Sequence, residues 1–142
     1  MLRVKHLLAA KGSKVWTIGP DEPVFEAIRT MAIEHIGALP VVSDGELVGI
    51  VSERDYARKV ILRGRSSADT SVGEVMSSPV VTVSADETVH HCMEIMTERR
   101  IRHLPVVENG RLTGIVSIGD LVKAVIEEQQ QTIDQLERYI AG

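Results

Sequence analysis

The sequence predicts an α/β (α+β) fold made of two β-α-β-β-α repeats followed by a long C-terminal helix. The main observation is a duplication, because residues 17–56 and 82–121 are identical at 17 of 40 aligned positions. Ordinary composition gives roughly two or three identities over that length. A second observation is that 44% of residues are hydrophobic but only 3% are aromatic, so aliphatic side chains must form the core. Repeats too small to bury a core alone must pack on each other, and a binding site is expected at their junction.

Each repeat is expected to open with a strand and a helix. The β-branched runs at 15–18 and 80–83 predict short strands. Asp21 and Asp86 then stand where helix caps are expected. The helices that follow have apolar residues at helical spacing, namely Val24, Ala27, Ile28 and Met31 in the first copy and Val89, Cys92, Met93 and Met96 in the second.

A hairpin and a second helix complete each repeat. The apolar segments 39–42 and 104–107 predict buried strands, with Pro40 and Pro105 near their starts, where a missing N–H does least harm. Asp-Gly at 44–45 and Asn-Gly at 109–110 predict two-residue turns, because these residues tolerate a positive φ. The returning strands are 47–51 and 112–116, and each runs through Ser-x-x-Asp into the second helix.

The segments outside the repeats give the domain organisation. Residues 1–64 are expected to form the first repeat, with a short N-terminal helix that ends near Gly12. The polar segment 65–71 is the linker, 72–125 is the second repeat, and its opening segment 72–76 is the counterpart of the N-terminal helix. Residues 126–142 form a helical extension. One long helix is expected to run from beyond Asp120 through this extension. Its apolar positions, with Gln129 interrupting, are spaced 4,3,4,3,4 and form a narrow seam: Val122, Ile126, Ile133, Leu136 and Ile140. The seam either pairs with a second copy or lies back on its own domain.

Composition excludes several classes of protein. A net charge of −4 argues against a dedicated nucleic-acid binder, which carries a basic field. The single cysteine, Cys92, excludes an internal disulfide and suits a reducing compartment. No apolar stretch has the length of a membrane span, and the N-terminal segment lacks the apolar run of a signal peptide. We therefore expect a cytoplasmic protein without nucleic-acid or membrane partners.

The Ser-x-x-Asp motifs at 52–55 and 117–120 are the main candidates for chemistry. The pattern is a capping box, which satisfies the free N–H groups of a helix start and needs no ligand. In the functional interpretation, the helix start holds a phosphate while the carboxylate accepts hydrogen bonds from two ribose hydroxyls. A carboxylate suits a diol and not a phosphate, so the motif indicates a nucleotide. Both interpretations remain open at this point.

The doubled pattern of apolar-Pro-Val-Val, Asp/Asn-Gly and Gly-Ile-Val-Ser-x-x-Asp resembles the cystathionine-β-synthase-type (CBS) domain pair, also called a Bateman module. The resemblance covers residues 1–125. It implies a pseudo-twofold pair of repeats that acts as a regulatory sensor and not as an enzyme. It also implies two clefts that bind adenosine-containing ligands such as AMP, ATP, NAD or S-adenosylmethionine, and association into a homodimer.

In this family each cleft takes its Ser-x-x-Asp from one repeat and its base pocket from the other. The resemblance therefore implies a first cleft built from Ser52, Arg54, Asp55, Val81, Ile101, Arg102, His103 and Pro105. The second cleft would combine Trp16, Ile36, Ala38 and Pro40 with Ser117, Gly119 and Asp120. Only the first has cationic candidates, so we expect the phosphate-rich end of the ligand there. The second cleft then binds more weakly, prefers a less charged ligand or stays empty.

Other conspicuous residues have simpler interpretations. His90, His91 and Cys92 are consecutive, and helical residues that point about 100° apart cannot converge on one metal ion. Arg58 and Lys59 are interpreted as solvated surface charges. Trp16 either stacks on adenine or fills the core. Two alternatives to a nucleotide sensor remain. One is a dimerisation adaptor with vestigial clefts. The other, an enzyme acting on a nucleotide, is less favoured because the sequence shows no catalytic constellation.

Overall fold

The computed structural model describes residues 1–12 and 14–141, which divide into two compact units. The first-repeat unit comprises residues 14–81 and 108–113. The second-repeat unit comprises residues 1–12, 82–107 and 114–141. The predicted mixed α/β class is confirmed, because the helices accompany two separate antiparallel strand pairs.

The first-repeat unit has its core between one amphipathic helix and one hairpin. Helix α2 (Val24–Glu34) starts after Pro23 and ends at His35, whose φ of 55° stops the helix. Strands β1 (Ala38–Ser43) and β2 (Glu46–Ser52) follow, and then helix α3 (Glu53–Tyr56), which continues as a π-helical segment at Ala57–Ile61. The predicted apolar face of α2 is confirmed, since Val24, Ala27 and Met31 are buried and Ile28 packs against them.

The predicted two-residue turns are confirmed in both hairpins. In the first, β1 pairs with β2 in a register that runs from Ala38 opposite Ser52 to Ser43 opposite Glu46. The turn residues have φ values of 51° at Asp44 and 81° at Gly45. In the second hairpin the values are 51° at Asn109 and 77° at Gly110. Two successive positive φ angles are the signature of a type I′ turn, which suits the twist of paired strands.

The second-repeat unit repeats this order. Helix α5 (Val89–Arg99) ends at Arg100 with a φ of 55°, as α2 does at His35. Strands β3 (His103–Glu108) and β4 (Arg111–Ser117) lead into helix α6 (Ile118–Ala141). The apolar face of α5 is confirmed, because Val89, Cys92 and Met96 are buried. Helix α6 is continuous across residue 125, so the second repeat and its C-terminal extension share one helix.

The short helix before each repeat packs with the other repeat. Helix α1 (Val4–Lys11) ends at Gly12 as predicted, but it lies in the second-repeat unit. The backbone explains this placement, since Val4 and Lys5 donate to Glu87 and Ala85 over 2.9 and 2.8 Å. Helix α4 (Val72–Val75) lies in the first-repeat unit, where Val72 donates to Glu22 over 2.8 Å. The sequence placed α1 with residues 1–64, because these backbone contacts leave no trace in local spacing.

Two predicted features of the repeats are wrong. The runs 15–18 and 80–83 are not strands, and each contributes a single parallel bridge, from Ile18 to Val41 and from Val83 to Val106. The proposed caps Asp21 and Asp86 are also wrong, because the caps of α2 and α5 are Pro23 and Thr88. The Thr88 hydroxyl accepts from the His91 N–H over 3.1 Å, which satisfies the helix start that Asp86 was expected to cap.

Candidate functional site

Both Ser-x-x-Asp motifs form complete capping boxes. In the first-repeat unit, the Asp55 N–H donates to Ser52 Oγ over 3.1 Å, and the Ser52 N–H donates to Asp55 Oδ2 over 3.0 Å. In the second-repeat unit, the Asp120 N–H donates to Ser117 Oγ over 3.1 Å, and the Ser117 N–H donates to Asp120 Oδ2 over 2.9 Å. The capping interpretation is therefore confirmed. It fixes each carboxylate at the junction of a strand and a helix.

Asp55 is the more enclosed of the two carboxylates, with a side chain 12% exposed. Besides the backbone bond, its Oδ2 accepts from Ser52 Oγ over 3.1 Å. Its Oδ1 accepts from Ser77 Oγ over 3.1 Å and forms an ion pair with Lys59 Nζ over 3.1 Å. Lys59 also donates to the Val75 carbonyl over 2.9 Å. A ribose that binds Asp55 through Oδ1 must share that oxygen with Lys59 and Ser77, or displace them.

Asp120 is more open, with a side chain 28% exposed. Lys11, the last residue of α1, forms an ion pair with Asp120 Oδ2 over 2.7 Å and also donates to the Ile115 carbonyl over 2.9 Å. Burial by itself would raise the pKa of Asp120, but the hydrogen bond and charge of Lys11 and the bonds from Ser117 outweigh it and lower that pKa below 3.8. Asp120 is therefore ionised at neutral pH.

The N–H groups at each helix start are partly used within the protein. The first N–H of α3, at Glu53, donates to the Gly37 carbonyl over 3.1 Å. The first N–H of α6, at Ile118, donates to the Arg102 carbonyl over 2.8 Å. Together with the capping bonds, these contacts occupy two of the donors that an anion at the helix start would use. A phosphate at this place would therefore depend on side-chain cations.

Each unit has an open groove near the start of its second helix, but only the groove of the second-repeat unit is lined by its carboxylate. In the second-repeat unit, a groove of about 310 Å³ separates α1 from α6, and Lys11, Asp120 and Lys123 line it. In the first-repeat unit, a groove of about 510 Å³ lies beside the start of α3, and Ile36, Glu53 and Tyr56 line it. Ile36 of the predicted second base pocket thus borders a groove of its own unit.

The remaining predicted residues of the first-repeat unit are mostly enclosed. Ala38 and Pro40 are buried on β1, and Val81 is half-buried. Trp16 packs against the core of its unit, and Lys14 Nζ lies 4.3 Å from the centroid of its ring. The structure therefore favours the core-filling interpretation of Trp16, with one face of the indole covered by a cation.

The remaining predicted residues of the second-repeat unit lie around the start of β3, except for Gly119 in the first turn of α6. Pro105 is buried, Ile101 is half-buried, and Arg102 and Gly119 are exposed. Burial lowers the pKa of His103, and the charges of Lys11 and Arg102 lower it further against the opposing effect of Asp120. His103 is consequently neutral at pH 7. In the first cleft that the resemblance implies, His103 is therefore a neutral hydrogen-bonding group and not a fixed positive charge.

Sequence reasoning missed three residues that contact the carboxylates. Lys59 was interpreted as a solvated surface charge, but it pairs with Asp55. An (i, i+4) spacing from Asp55 on one helix face was a signal for this contact. Lys11 and Ser77 approach from segments 109 and 22 residues away in the chain, so no local pattern indicated them. Arg58 is exposed, as expected.

The side chains around Cys92 do not form a metal site. His90 and His91 are exposed, whereas Cys92 is buried, and His91 Nδ1 lies 2.8 Å from Glu87 Oε1. Over residues 1–12 and 14–141, no group of three or more His, Cys, Asp or Glu side chains could hold a metal ion. None of the helices described is both long and apolar enough to span a membrane.

The doubled units match a known family of domains. A family model described as the CBS domain matches residues 8–62 and again residues 72–127. The chain belongs to the CBS-domain family. The predicted resemblance to a CBS pair is thereby confirmed, and CBS pairs are regulatory modules.

Relatives of this CBS pair come from bacteria, archaea and plants. The chain is 42% identical over 139 residues to the mitochondrial CBS domain-containing protein CBSX3 of Arabidopsis thaliana, covering 94% of this chain and 67% of the relative. It is 47% identical to a putative signal-transduction protein with CBS domains from Burkholderia ambifaria, with a TM-score of 0.86 and coverage of 89% and 96% of the two chains. The CBS domain pair of MJ0100 is 29% identical, with a TM-score of 0.77 over 87% of this chain and 98% of that one, and its structure holds 5′-methylthioadenosine and S-adenosylmethionine.

Proposed function

We propose that this CBS pair is a regulatory sensor that binds an adenosine-containing nucleotide, such as AMP, ATP or NAD, through Asp55 and Asp120. The observation that carries the proposal is the pair of equivalent carboxylates, each held by a capping box at the start of a helix. An ionised carboxylate accepts two hydrogen bonds from a vicinal diol, and the ribose of adenosine is such a diol. The complex of MJ0100 with two adenosine compounds supports this ligand class.

Asp120 is the better prepared of the two ribose acceptors. Its side chain is 28% exposed, its lowered pKa keeps it ionised, and a groove lies beside it. Lys11 holds the carboxylate through Oδ2, so the carboxylate is already oriented before a ligand arrives. The predicted partners of Asp120 in this cleft are Ser117, Gly119, Trp16, Ile36, Ala38 and Pro40.

Asp55 requires a rearrangement before it can bind ribose. Four donors already approach its carboxylate, and only 12% of its side chain is exposed. We propose that the ligand hydroxyls replace Ser77 and Lys59 at Oδ1, while the capping bonds through Oδ2 remain. Lys59 is then released toward the ligand as a cation. The predicted partners in this cleft are Ser52, Arg54, Val81, Ile101, Arg102, His103 and Pro105.

The expected difference in charge between the two clefts is smaller than the sequence indicated. The first cleft keeps Arg54 and Arg102 as cations but loses His103, which burial makes neutral at pH 7. The second cleft gains Lys11, which already lies on its carboxylate. We therefore propose that both clefts take the adenosine half of the ligand, and that a phosphate-rich end still prefers the first cleft.

Binding would signal by shifting the population of conformations of the module. A ligand shifts such an equilibrium only by its differential affinity for the two states. Lys59 and Ser77 both contact the Asp55 carboxylate. Their displacement by the ligand hydroxyls would supply a difference between the two conformations. A partner protein would then respond to the ligand-bound form.

Titration calorimetry with AMP, ATP, NAD and S-adenosylmethionine tests this proposal. The informative variants are Asp55→Asn and Asp120→Asn, because asparagine keeps one acceptor oxygen for the capping box but removes the charge. We expect each substitution to weaken binding at its own site by about tenfold or more, since a hydrogen bond to a charged group is lost. Asp86→Asn is the matched control, because Asp86 is exposed and is not near either capping box in sequence. This substitution should leave binding unchanged.

Two outcomes would overturn the proposal. The first is the absence of measurable heat with all four ligands at millimolar concentration. The second is a double variant, Asp55→Asn with Asp120→Asn, that binds as the unmodified chain does. A melting curve of each variant by circular dichroism separates loss of binding from loss of folding.

The dimerisation adaptor remains a second candidate function, and one observation favours it. All the apolar seam residues of α6 are exposed. If the seam packed on its own domain, these side chains would be buried. An adaptor of this kind would associate without nucleotide, whereas the sensor requires nucleotide to act. The same calorimetric titration therefore distinguishes the two.

A further inference from the structure

Helix α6 has two faces with different roles. Toward its own unit it buries Leu121, which is fully inaccessible, and Ala124, which is 9% exposed. The seam residues lie on the other side, with exposed fractions of 40% at Val122, 59% at Ile126, 47% at Ile133, 56% at Leu136 and 83% at Ile140. A single copy of the chain therefore leaves an aliphatic stripe, interrupted at Gln129, in contact with water, which is unfavourable in proportion to its apolar area.

The spacing of the stripe identifies what fits it. Steps that alternate between 4 and 3 residues place these positions at the two core sites of a seven-residue repeat, which is the pattern of two helices that wind around each other. Ile126, Ile133 and Ile140 occupy one core position of this repeat, while Val122 and Leu136 occupy the other together with Gln129. From residue 122 to 140 the seam is about 27 Å long. Its occupant must be a helix of similar length with the same spacing.

Within the described residues, no other helix of the chain meets that requirement. Helix α6 has 24 residues, whereas α2 and α5 each have 11 and the remaining helices are shorter. The complementary surface that the chain itself offers is the same seam on another copy. Two identical surfaces that meet in this way produce a twofold symmetric contact.

We propose that α6 pairs in antiparallel orientation with α6 of a second copy of this chain. In the register centred on residue 131, every seam residue except Ile133 lies opposite another seam residue. Val122 packs against the second copy's Ile140, Ile126 against its Leu136, and Gln129 against its Ile133. All of these except Gln129 are large aliphatic side chains.

The residues that flank the seam favour the antiparallel orientation. In this register Lys123 faces the second copy's Glu137. The symmetry of the pair gives two such ion pairs per dimer. Val125 on the other flank faces the second copy's Tyr139, which is 85% exposed in the single chain. In a parallel pair, Lys123 would instead face Ile118 and Glu137 would face Thr132, without any pairing of charges. Flanking charges set orientation in such helix pairs.

The mass of the full chain in solution tests the pairing. Multi-angle light scattering at about 100 µM should give about twice the chain mass of 15.6 kDa. Ile133→Asp places a charge in the centre of the seam and should return the mass to that of one chain. Gln135→Asp is the matched control, since it adds the same charge one step off the seam at an exposed position and should stay dimeric. Both residues are solvent-exposed in the single chain, so melting curves recorded at a concentration where the unmodified chain is a monomer should be the same for all three proteins.

Charge reversal tests the orientation. Lys123→Glu and Glu137→Lys should each weaken the dimer by about fivefold, because each opposes two like charges. The double variant restores both pairs and should return the dissociation constant to within about twofold of the original. Mild oxidation of mixed Ile126→Cys and Leu136→Cys chains should give a covalent dimer, whereas neither variant alone should do so.

Three results would overturn this inference. They are a single-chain mass for the unmodified protein at 100 µM, a dimer that persists in Ile133→Asp, and efficient self-linking of Ile126→Cys, which indicates a parallel pair. The pairing does not require a nucleotide, so these outcomes are independent of the calorimetric test of the proposed function.

Discussion

Replacement of the two repeat-related aspartates by alanine should destabilise the protein to clearly different extents. Asp55→Ala removes the acceptor for Ser52, Ser77 and Lys59 in a side chain that is 12% exposed. Loss of a capping residue costs about 1 kcal/mol, and loss of a further partly buried bond to a charged group costs about 1.5–3 kcal/mol. The free energy of unfolding should therefore fall by about 3 kcal/mol.

Asp120→Ala is the internal comparison, because it occupies the same position in the second repeat. It removes the same capping bonds but only the ion pair with Lys11, and its side chain is 28% exposed. Exposed ion pairs contribute about 0.2–1 kcal/mol, so the free energy of unfolding should fall by only about 1–2 kcal/mol. Urea unfolding followed by circular dichroism and by Trp16 fluorescence measures both values. Equal losses, or a larger loss for Asp120→Ala, would refute the assignment of Asp55 as the more strongly held carboxylate.

The remaining predictions concern individual titratable groups. Burial and the charge of Glu87 raise the pKa of Cys92 to about 11. At pH 8 this thiol should therefore react with a disulfide reagent at least about a hundredfold more slowly in the folded protein than in the urea-unfolded protein. Equal rates in the two states would contradict the burial of Cys92. Lys11→Met should raise the pKa of Asp120, measurable as a shifted carboxyl titration in carbon NMR, while Lys5→Met should leave it unchanged because Lys5 pairs with Asp86. The pKa of His103 lies below its ordinary value of 6.5, so the stability it contributes is present above that value and is lost as pH falls through the folded-state pKa. Thermal melts from pH 7 to pH 5 should show this loss, and it should be smaller in His103→Gln; an identical pH dependence in that variant would contradict it.

The fold was largely predictable because its signals are local and occur twice. Asp-Gly and Asn-Gly turns, Ser-x-x-Asp caps and the spacing of Val24, Ala27 and Met31 each depend on neighbouring residues. The strand predictions for 15–18 and 80–83 failed because a β-branched run says nothing about available partners, and each segment finds only one bridge.

The candidate site was less predictable because its decisive contacts cross long stretches of the chain. Lys11 reaches Asp120 from a helix that packs with the opposite repeat, and Ser77 reaches Asp55 from the segment after α4. The neutral state of His103 was also not predictable, because a sequence motif identifies the imidazole but not its burial. Sequence therefore identified the carboxylates, and the structure was needed to identify what holds them.

The most direct test of the central claim is native mass spectrometry of the chain titrated with AMP, ATP and NAD. We predict a bound adenosine ligand in the unmodified chain and its loss when Asp55→Asn and Asp120→Asn are combined. If no adduct forms at any concentration, or the doubly substituted chain retains the full adduct, these carboxylates do not bind nucleotide and the proposed function is wrong.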